Sequence, residues 1–186
     1  MSIVATTERL RLAEWDEARK AEFVRVTNTP AVMRWLGGVS SDEAMAAAFS
    51  RMEGFSRNHG HTFWAVERKE DGALLGFCGL KRVNSPGCEH LHGAFEIGWR
   101  LREDAWGQGY ASEAARASLE LAFDRFGAPF VVAITVAGNV GSRKVMERLG
   151  MKRQRHFDFV DRRFPYPGDL NPEIITLIRA EEWRAA

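Results

Sequence analysis

The stretch from Phe95 to Ala114 constrains the fold and function of this chain most. It is typical of a strand, Phe95–Leu101, followed by a loop with Gly107 and Gly109 and by a long helix that begins at Tyr110. The first N–H groups of a helix have no partner within it, and glycines let a ligand approach the backbone. Together with the helix dipole, this predicts an anion site suited to a pyrophosphate. A tight turn with a glycine at the start of the helix explains the same residues without any ligand.

Two phosphate-binding motifs can be compared with this loop. A P-loop requires Gly-Lys followed by Ser or Thr, which the chain lacks. A Rossmann fingerprint has three glycines directly after a strand and an acidic residue at the end of the next strand. Here the next strand, Phe130–Val136, is followed by Ala137 and Gly138. A nucleotide-binding protein is therefore the least supported of the possible functions.

The hydrophobic pattern of the whole chain predicts an α/β (α+β) fold. Its architecture is one mixed, mostly antiparallel central sheet of about seven strands, with helices on both faces, in a single domain over residues 1–186. Asp71-Gly72 is a hairpin turn signal. The expected helices are residues 16–28, 42–58, 110–126 and 139–150, and the expected strands are residues 7–15, 62–69, 73–83, 92–102, 130–136, 151–160 and 173–179.

Composition excludes several classes of protein. The 26 basic and 25 acidic residues give a net charge of +1, so no general nucleic-acid binder is implied. Two cysteines do not make a disulfide framework. The longest uncharged stretch, residues 126–142, is broken by Gly and Pro and is too short to span a membrane. The N-terminal residues lack the pattern of a secretory signal, so we expect a soluble protein of the cytoplasm without a membrane partner.

Two motifs resemble the GNAT superfamily of acyl-CoA-dependent N-acyltransferases. The family's loop motif, Arg/Gln-x-x-Gly-x-Gly/Ala, falls on Asp104–Gly109, although Asp104 replaces the basic or amide residue that opens it. The family's second motif, Asn-x-x-Ser followed by Leu-Gly-Phe, is similar to Asn139-x-x-Ser142 and Arg148-Leu149-Gly150-Met151 in this chain. The surrounding EIGWRL and WGQGYASEA look like the RimJ/RimL branch, which contains ribosomal-protein alanine acetyltransferases. The element order also fits over nearly the whole chain.

This resemblance implies acetyl-CoA as the acyl donor, without a metal, and a primary amine as the acceptor. The acceptor is a protein N-terminus, an amino acid or another small molecule, and the sequence leaves its identity and a homodimer open. The residues expected to bind the donor are Trp99, Arg100, Leu101, Trp106, Gly107, Gln108, Gly109, Tyr110, Ala111, Ser112, Asn139 and Ser142.

In this family an amine attacks the thioester directly, so a base or a water chain must take a proton. Glu96 is the candidate base, and a solvated glutamate paired with Arg100 is the alternative. Ser142 is the candidate acid, or a residue hydrogen-bonded to a helix cap at Asn139. Many relatives have a tyrosine acid where this chain has Met146. This departure keeps a non-catalytic acyl-CoA-binding module of the same fold as the alternative function.

Three other features have a structural or a functional interpretation. His59-x-His61 and His90-x-His92 are expected to be surface histidines rather than metal ligands. The loop of residues 161–169 is expected to line the acceptor side of the site, or else to be a solvent loop or a dimer contact. A basic cluster is either a solvated face or a contact for the donor's 3′-phosphate or an acidic partner; it comprises Arg143, Lys144, Arg148, Lys152, Arg153 and Arg155.

Overall fold

A computed structural model describes residues 2–185. Its sheet has eight strands in the order β1-β2-β3-β4-β5-β6-β8-β7, and all the pairings we describe are antiparallel except that of β5 with β6. The strands are β1 Ile3–Thr6, β2 Leu10–Ala13, β3 Phe63–Arg68, β4 Leu74–Arg82, β5 Phe95–Leu101, β6 Phe130–Val136, β7 Lys152–Arg153 and β8 Glu173–Arg179. The mixed, mostly antiparallel sheet is confirmed, with eight strands instead of about seven.

The helices are α1 Glu17–Thr27, α2 Pro30–Met33, α3 Asp42–His59, α4 Tyr110–Glu120, α5 Val140–Arg148 and α6 Ala180–Arg184. A π-helical turn, Leu121–Arg125, continues α4. Between residues 2 and 185, none of the helices combines the length and the apolar character needed to span a bilayer.

Two strand predictions need correction. The β-branched residues of Ile3–Thr6 form an additional edge strand that pairs with β2. The expected strand over residues 151–160 is reduced to Lys152–Arg153, followed by the 3-10 turn Arg155–Phe157 and one bridge from Phe159 to Glu173. The Arg153 guanidinium binds the Asp158 carboxylate across that turn, which holds the chain in a bend.

The residues fall into two compact units, which we describe separately. The first unit comprises residues 2–81 with Gly98–Ser118, and the second comprises Arg82–Ile97 with residues 119–185.

In the first unit, neighbouring residues of β4 show that helices cover both faces of the sheet. Phe77 stacks on Phe23 of α1, with ring centroids 5.4 Å apart. The next residue, Cys78, points to the opposite face because side chains alternate along a strand. Its Sγ lies 3.5 Å from Oγ of Ser118 in α4. The predicted placement of helices on both faces is therefore confirmed in this unit.

In the second unit, β6 is the central element. It pairs with β8 over its whole length, from Phe130 with Arg179 to Val136 with Glu173. The parallel partner β5 contributes the pairs of Phe95 with Val131 and of Glu96 with Val132. Most of β6 is buried, as its continuous apolar sequence predicts. One side of this sheet packs on the chain from Val83 to Leu91 and on Phe159.

Candidate active site

The loop before α4 is exposed from Trp106 to Gly109. Gly107 and Gly109 have φ angles of +73° and +84°, the left-handed region that favours glycine. A Cβ at Gly107 would meet no atom within 4 Å, so this glycine is required by its backbone conformation and not by crowding. Side chains fix the rest of the loop, since Trp106 Nε1 donates to the Leu101 carbonyl at 2.9 Å and Gln108 Nε2 donates to the Asp104 carbonyl at 2.7 Å.

The first turn of α4 contains an enclosed hydroxyl group. Ser112 Oγ is buried and has no hydrogen-bond partner among residues 2–185. A buried polar group without a partner costs free energy. A hydroxyl in this state, in the first turn of a helix whose N–H groups also lack partners, suits an anion bound at the helix start.

Arg9, in the turn between β1 and β2, holds the same loop, although nothing in the sequence pointed to it. Its Nη1 donates to the Gln108 carbonyl at 3.1 Å, and its guanidinium lies 4.5 Å from the ring centroid of the buried Tyr110. Its Nε donates to the Glu113 carboxylate in α4 at 2.7 Å. Thr7 Oγ1 also donates to Glu113, at 2.6 Å. The N-terminal hairpin therefore anchors both the loop and the first turn of α4.

These contacts determine the ionisation of Glu113. Burial raises the pKa of its carboxyl, but hydrogen bonds from Thr7 Oγ1 and from the backbone and side chain of Arg9 outweigh burial and lower it overall. Glu113 is therefore ionised at neutral pH and neutralises Arg9 at the loop.

Asp104, the departure from the loop motif, is itself neutralised. Arg102 Nε and Nη2 donate to its two carboxylate oxygens at 2.5 and 2.8 Å. The hydrogen bond from Arg102 holds the pKa of the Asp104 carboxyl below its usual value. An acidic residue therefore stands at the start of the motif without leaving an unpaired negative charge there.

The remaining donor-site candidates of the first unit are in β5. Trp99 and Arg100 are half-buried and Leu101 is buried. The strand is held to β4 closely enough that a Cβ at Gly76 would lie 2.0 Å from the Arg100 carbonyl oxygen. The structure therefore places Trp99–Leu101, Trp106–Gly109 and Tyr110–Ser112 in one continuous strand–loop–helix segment.

In the second unit, Glu96 is buried with 8% of its surface exposed. It belongs to the half of β5 that pairs with β6. Arg163 lies in its electrostatic field: the hydrogen bond that Arg163 donates to Asp161 raises the pKa of Arg163 most, and the charges of Glu173 and Glu96 add to the increase. The candidate base is thus a buried carboxylate with a cation among its neighbours.

Asn139 caps α5, as one of its two interpretations predicts. Its Oδ1 accepts a hydrogen bond from the Ser142 N–H at 3.2 Å. Ser142 is half-buried. Met146, which occupies the position of the family's tyrosine, is buried in the core with 2% exposure.

The loop of residues 161–172 is tightly organised. Asp161 is fully buried and accepts both Nε and Nη2 of Arg163. The Asn171 side chain donates to the carbonyls of Asp161, Phe164 and Pro165 and accepts from the Asp161 N–H. Phe164 is half-buried, whereas Tyr166 is 63% exposed.

The histidine prediction is wrong for one residue. His61 is fully buried and its Nδ1 lies 3.0 Å from the Leu80 carbonyl oxygen, so it is a core residue. It precedes β3, and His59 ends α3, so the two do not share a strand face. Over residues 2–185 no group of three or more His, Cys, Asp or Glu side chains could hold a metal ion.

Lys152 and Arg153 of the basic cluster form ion pairs. Lys152 binds Glu182, and Arg153 binds Asp158. Arg143, Arg153 and Arg155 line a cavity of about 410 Å³ in the second unit, together with Met146, Met151 and four further residues.

Comparison with known proteins identifies the family. Residues 9–152 match the Acetyltransferase (GNAT) domain. This chain belongs to the GNAT acetyltransferase family. A relative is the uncharacterized N-acetyltransferase YnaD of Bacillus subtilis (strain 168), 28% identical over 179 residues, which cover 96% of this chain and 98% of YnaD. YkkB of the same organism is 30% identical over 146 residues, 78% of this chain and 83% of YkkB.

Solved GNAT structures share the fold. An acetyltransferase from Agrobacterium tumefaciens str. C58 aligns with a TM-score of 0.77 at 24% identity and covers 96% of both chains. A Vibrio cholerae protein, provisionally named a ribosomal-protein-serine acetyltransferase, aligns with a TM-score of 0.70 at 18% identity over 96% of this chain and 99% of its own. The match to the GNAT domain and the relative named as an N-acetyltransferase show that this chain is an acyl-transferring enzyme, and the solved structures share its fold.

Proposed function

We propose that this enzyme transfers the acetyl group of acetyl-CoA to a primary amine by direct attack. The acceptor is a protein N-terminus, an amino acid or another small molecule, within the RimJ/RimL-like branch of the family. The observation that carries the proposal is the start of α4, with left-handed Gly107 and Gly109 and an enclosed Ser112 hydroxyl that has no partner among the described residues. GNAT relatives named as acetyltransferases support the reaction type.

The N–H groups of Gly107 to Ser112 hold the donor's pyrophosphate. They are suited to it because the residues before α4 are exposed and carry no side-chain cap at Gly109. Trp106, Gln108, Tyr110 and Ala111 shape this cradle, and the backbone of Trp99–Leu101 contacts the pantetheine arm. Asn139 and Ser142 are proposed to contact the same arm, in addition to the cap that Asn139 forms.

Glu96 accepts the proton of the attacking amine. When bound, acetyl-CoA supplies the thioester carbonyl carbon to which the amine nitrogen bonds. Backbone N–H groups stabilise the negative charge on the carbonyl oxygen. The C–S bond then breaks, and Ser142 or water protonates the departing CoA thiolate, whose pKa of about 8.5 makes little acid assistance necessary. The products are the N-acetylated amine and free CoA.

Glu96→Gln tests this assignment in an assay of thiol release with a panel of primary amines. We expect a loss of roughly 100-fold in kcat at neutral pH, because Gln cannot accept the proton. The affinity for CoA, measured by calorimetry, should not change.

Glu173→Gln is the matched control, because Glu173 also contributes to the field at Arg163 but is not the proposed base. A control that loses as much activity would show that charge beside Arg163 matters more than proton transfer. An activity-versus-pH curve for Glu96→Gln that overlays the parent curve would exclude Glu96 as the base.

The place of action and the assembly are also part of the proposal. We propose a cytoplasmic enzyme, and two free, buried cysteines, Cys78 and Cys88, are compatible with a reducing compartment. Neither a nucleic acid nor a membrane is proposed as a partner. A homodimer is compatible with the family, and its test is the mass in solution.

A further inference from the structure

Arg100 is an arginine without a counter-ion. Among residues 2–185, no carboxylate pairs with its guanidinium, and its Nε is enclosed without a hydrogen-bond partner. The guanidinium carbon lies 5.4 Å from the ring centroid of Phe23 and 5.3 Å from that of Phe77. The side chain is half-buried, and its Nε is enclosed.

This arrangement is costly for the folded enzyme. Burial lowers the pKa of Arg100 to about 10, and no opposite charge offsets that effect. The faces of two phenyl rings compensate only part of the lost hydration of a cation. A buried charge without a partner generally weakens a fold. An anion that enters with a ligand would supply the missing partner.

The face of the sheet on which Arg100 lies argues against the donor's pyrophosphate as this anion. Gly98, two residues earlier in β5, shares the face of Arg100, and a Cβ there would lie 2.9 Å from the Phe63 ring. Phe63 stacks on Phe77 at 4.6 Å. Helix α4, whose start is the proposed pyrophosphate site, contacts the opposite face through Cys78. An anion that pairs with Arg100 would therefore be different from the donor's pyrophosphate.

The side chains around Arg100 are aromatic, so its guanidinium determines which chemical group could bind there. Phe23 belongs to a cluster of edge-to-face rings with Trp15 and Phe49, at centroid distances of 5.3 and 5.8 Å. A guanidinium with free N–H donors matches the planar geometry of a carboxylate with two parallel hydrogen bonds.

We propose that Arg100 binds a carboxylate of the amine acceptor, so that the enzyme selects primary amines that carry a carboxylate. This inference rests on the proposed acetyl transfer. It makes Arg100 a specificity-determining residue through its side chain, while its backbone belongs to the strand proposed to contact the donor.

The test compares each acid with its carboxamide, for example phenylalanine with phenylalaninamide and leucine with leucinamide. For the parent enzyme we expect kcat/KM to be at least about tenfold higher for the acid, since a charge-assisted bidentate contact is worth more than about 1.4 kcal/mol. In Arg100→Met this preference should disappear. Comparing the acid/amide ratio between variants removes the effect of the different basicities of the two amines.

Stability provides an independent readout. Without acceptor, Arg100→Met should melt no lower than the parent, because it removes an unpaired buried charge and keeps an apolar stem. In the presence of CoA, the acid should raise the melting temperature of the parent more than the amide does, and Arg100→Met should abolish this difference.

The outcomes separate this inference from the proposed function. If acids and amides are acetylated equally well by both proteins, the acetyl transfer stands and the role of Arg100 is wrong. If no amine is acetylated, the acid-specific melting shift still decides whether Arg100 binds a carboxylate. A phosphonate analogue that binds more tightly than the acid would overturn the choice of carboxylate.

Discussion

The starts of α4 and α5 have opposite designs. Asn139 caps α5 with its own side chain, which accepts the Ser142 N–H at 3.2 Å. Gly109, the residue before α4, has no side chain with which to do this. Instead, the loop before α4 adopts two left-handed glycine conformations and is held from outside by Arg9. In the first turn of α4 the Ser112 hydroxyl is enclosed and has no partner within residues 2–185.

The difference shows how a helix start becomes a binding site. A capped helix has already used part of its hydrogen-bonding capacity within the chain. A helix that begins after glycines leaves its first N–H groups for a ligand, and it relies on neighbouring elements for its shape. The hairpin residue Arg9 and the first-turn residue Glu113 provide that shape here.

Among the variants that test this difference between the two helix starts, Gly107→Ala should cause the largest loss of CoA affinity. Gly107 and Gly72 have the same φ angle, +73°, and a Cβ would meet no atom within 4 Å at either position. Alanine should therefore cost each site about 1 kcal/mol of stability through backbone strain alone. Only Gly107→Ala should weaken CoA binding, by at least about tenfold, because it disturbs the N–H groups that hold the phosphates.

Calorimetric titration with CoA and chemical denaturation of both variants separate the two effects. Equal CoA affinity in Gly107→Ala and Gly72→Ala, with equal losses of stability, would mean that the loop is only a turn. The open α4 start would then have no ligand, and the comparison with α5 would lose its functional meaning.

Asn139→Ala asks whether the capped start is purely structural. Ser41 is its match, because Ser41 Oγ caps α3 by accepting the Ala44 N–H at the same distance, 3.2 Å. Loss of either cap should cost about 1 kcal/mol of stability. Asn139→Ala should additionally raise the KM for acetyl-CoA severalfold if Asn139 also contacts the donor. Identical behaviour of the two variants would restrict Asn139 to capping.

The sequence predicted the central strands and the hairpin turn better than it predicted the strand at the edge of the sheet and the burial of His61. The Asp71-Gly72 turn and the apolar β6 were recognisable because local chemistry determines them, and both lie where expected. The strand expected over residues 151–160 ends at Arg153, where a 3-10 turn spanned by the Arg153–Asp158 ion pair follows, and neither the turn nor the ion pair is visible to periodicity. His61 was assigned to the surface because its partner, the Leu80 carbonyl, is distant in the chain.

The candidate site also contains residues that sequence analysis could find and residues that it could not. Gly107, Gly109 and Asn139 were accessible to sequence analysis because their roles depend on immediate neighbours and on a motif. Arg9 was not, because it reaches Gln108 and Glu113 from about 100 residues away in the chain, as the separations of 99 and 104 show. The missing counter-ion of Arg100 could not be predicted either, because it depends on which side chains fold around it.

The smallest loss of CoA affinity should come from Arg9→Met, which tests whether the N-terminal hairpin holds the loop before α4 in place. Arg9 neutralises Glu113 and fixes the Gln108 carbonyl, so its loss should loosen the loop without removing any N–H group from it. We expect a three- to fivefold weaker affinity for CoA, equivalent to about one ordinary hydrogen bond.

Arg25→Met is the control: Arg25 also forms two hydrogen bonds to a glutamate, but within α1 and on the surface. Its loss should leave CoA affinity unchanged, because exposed pairs contribute little even to local stability. A tenfold or greater loss in Arg9→Met would instead indicate that the guanidinium contacts a phosphate directly, in place of the basic residue that Asp104 has replaced. Unchanged affinity would mean that the glycine loop keeps its shape without the hairpin.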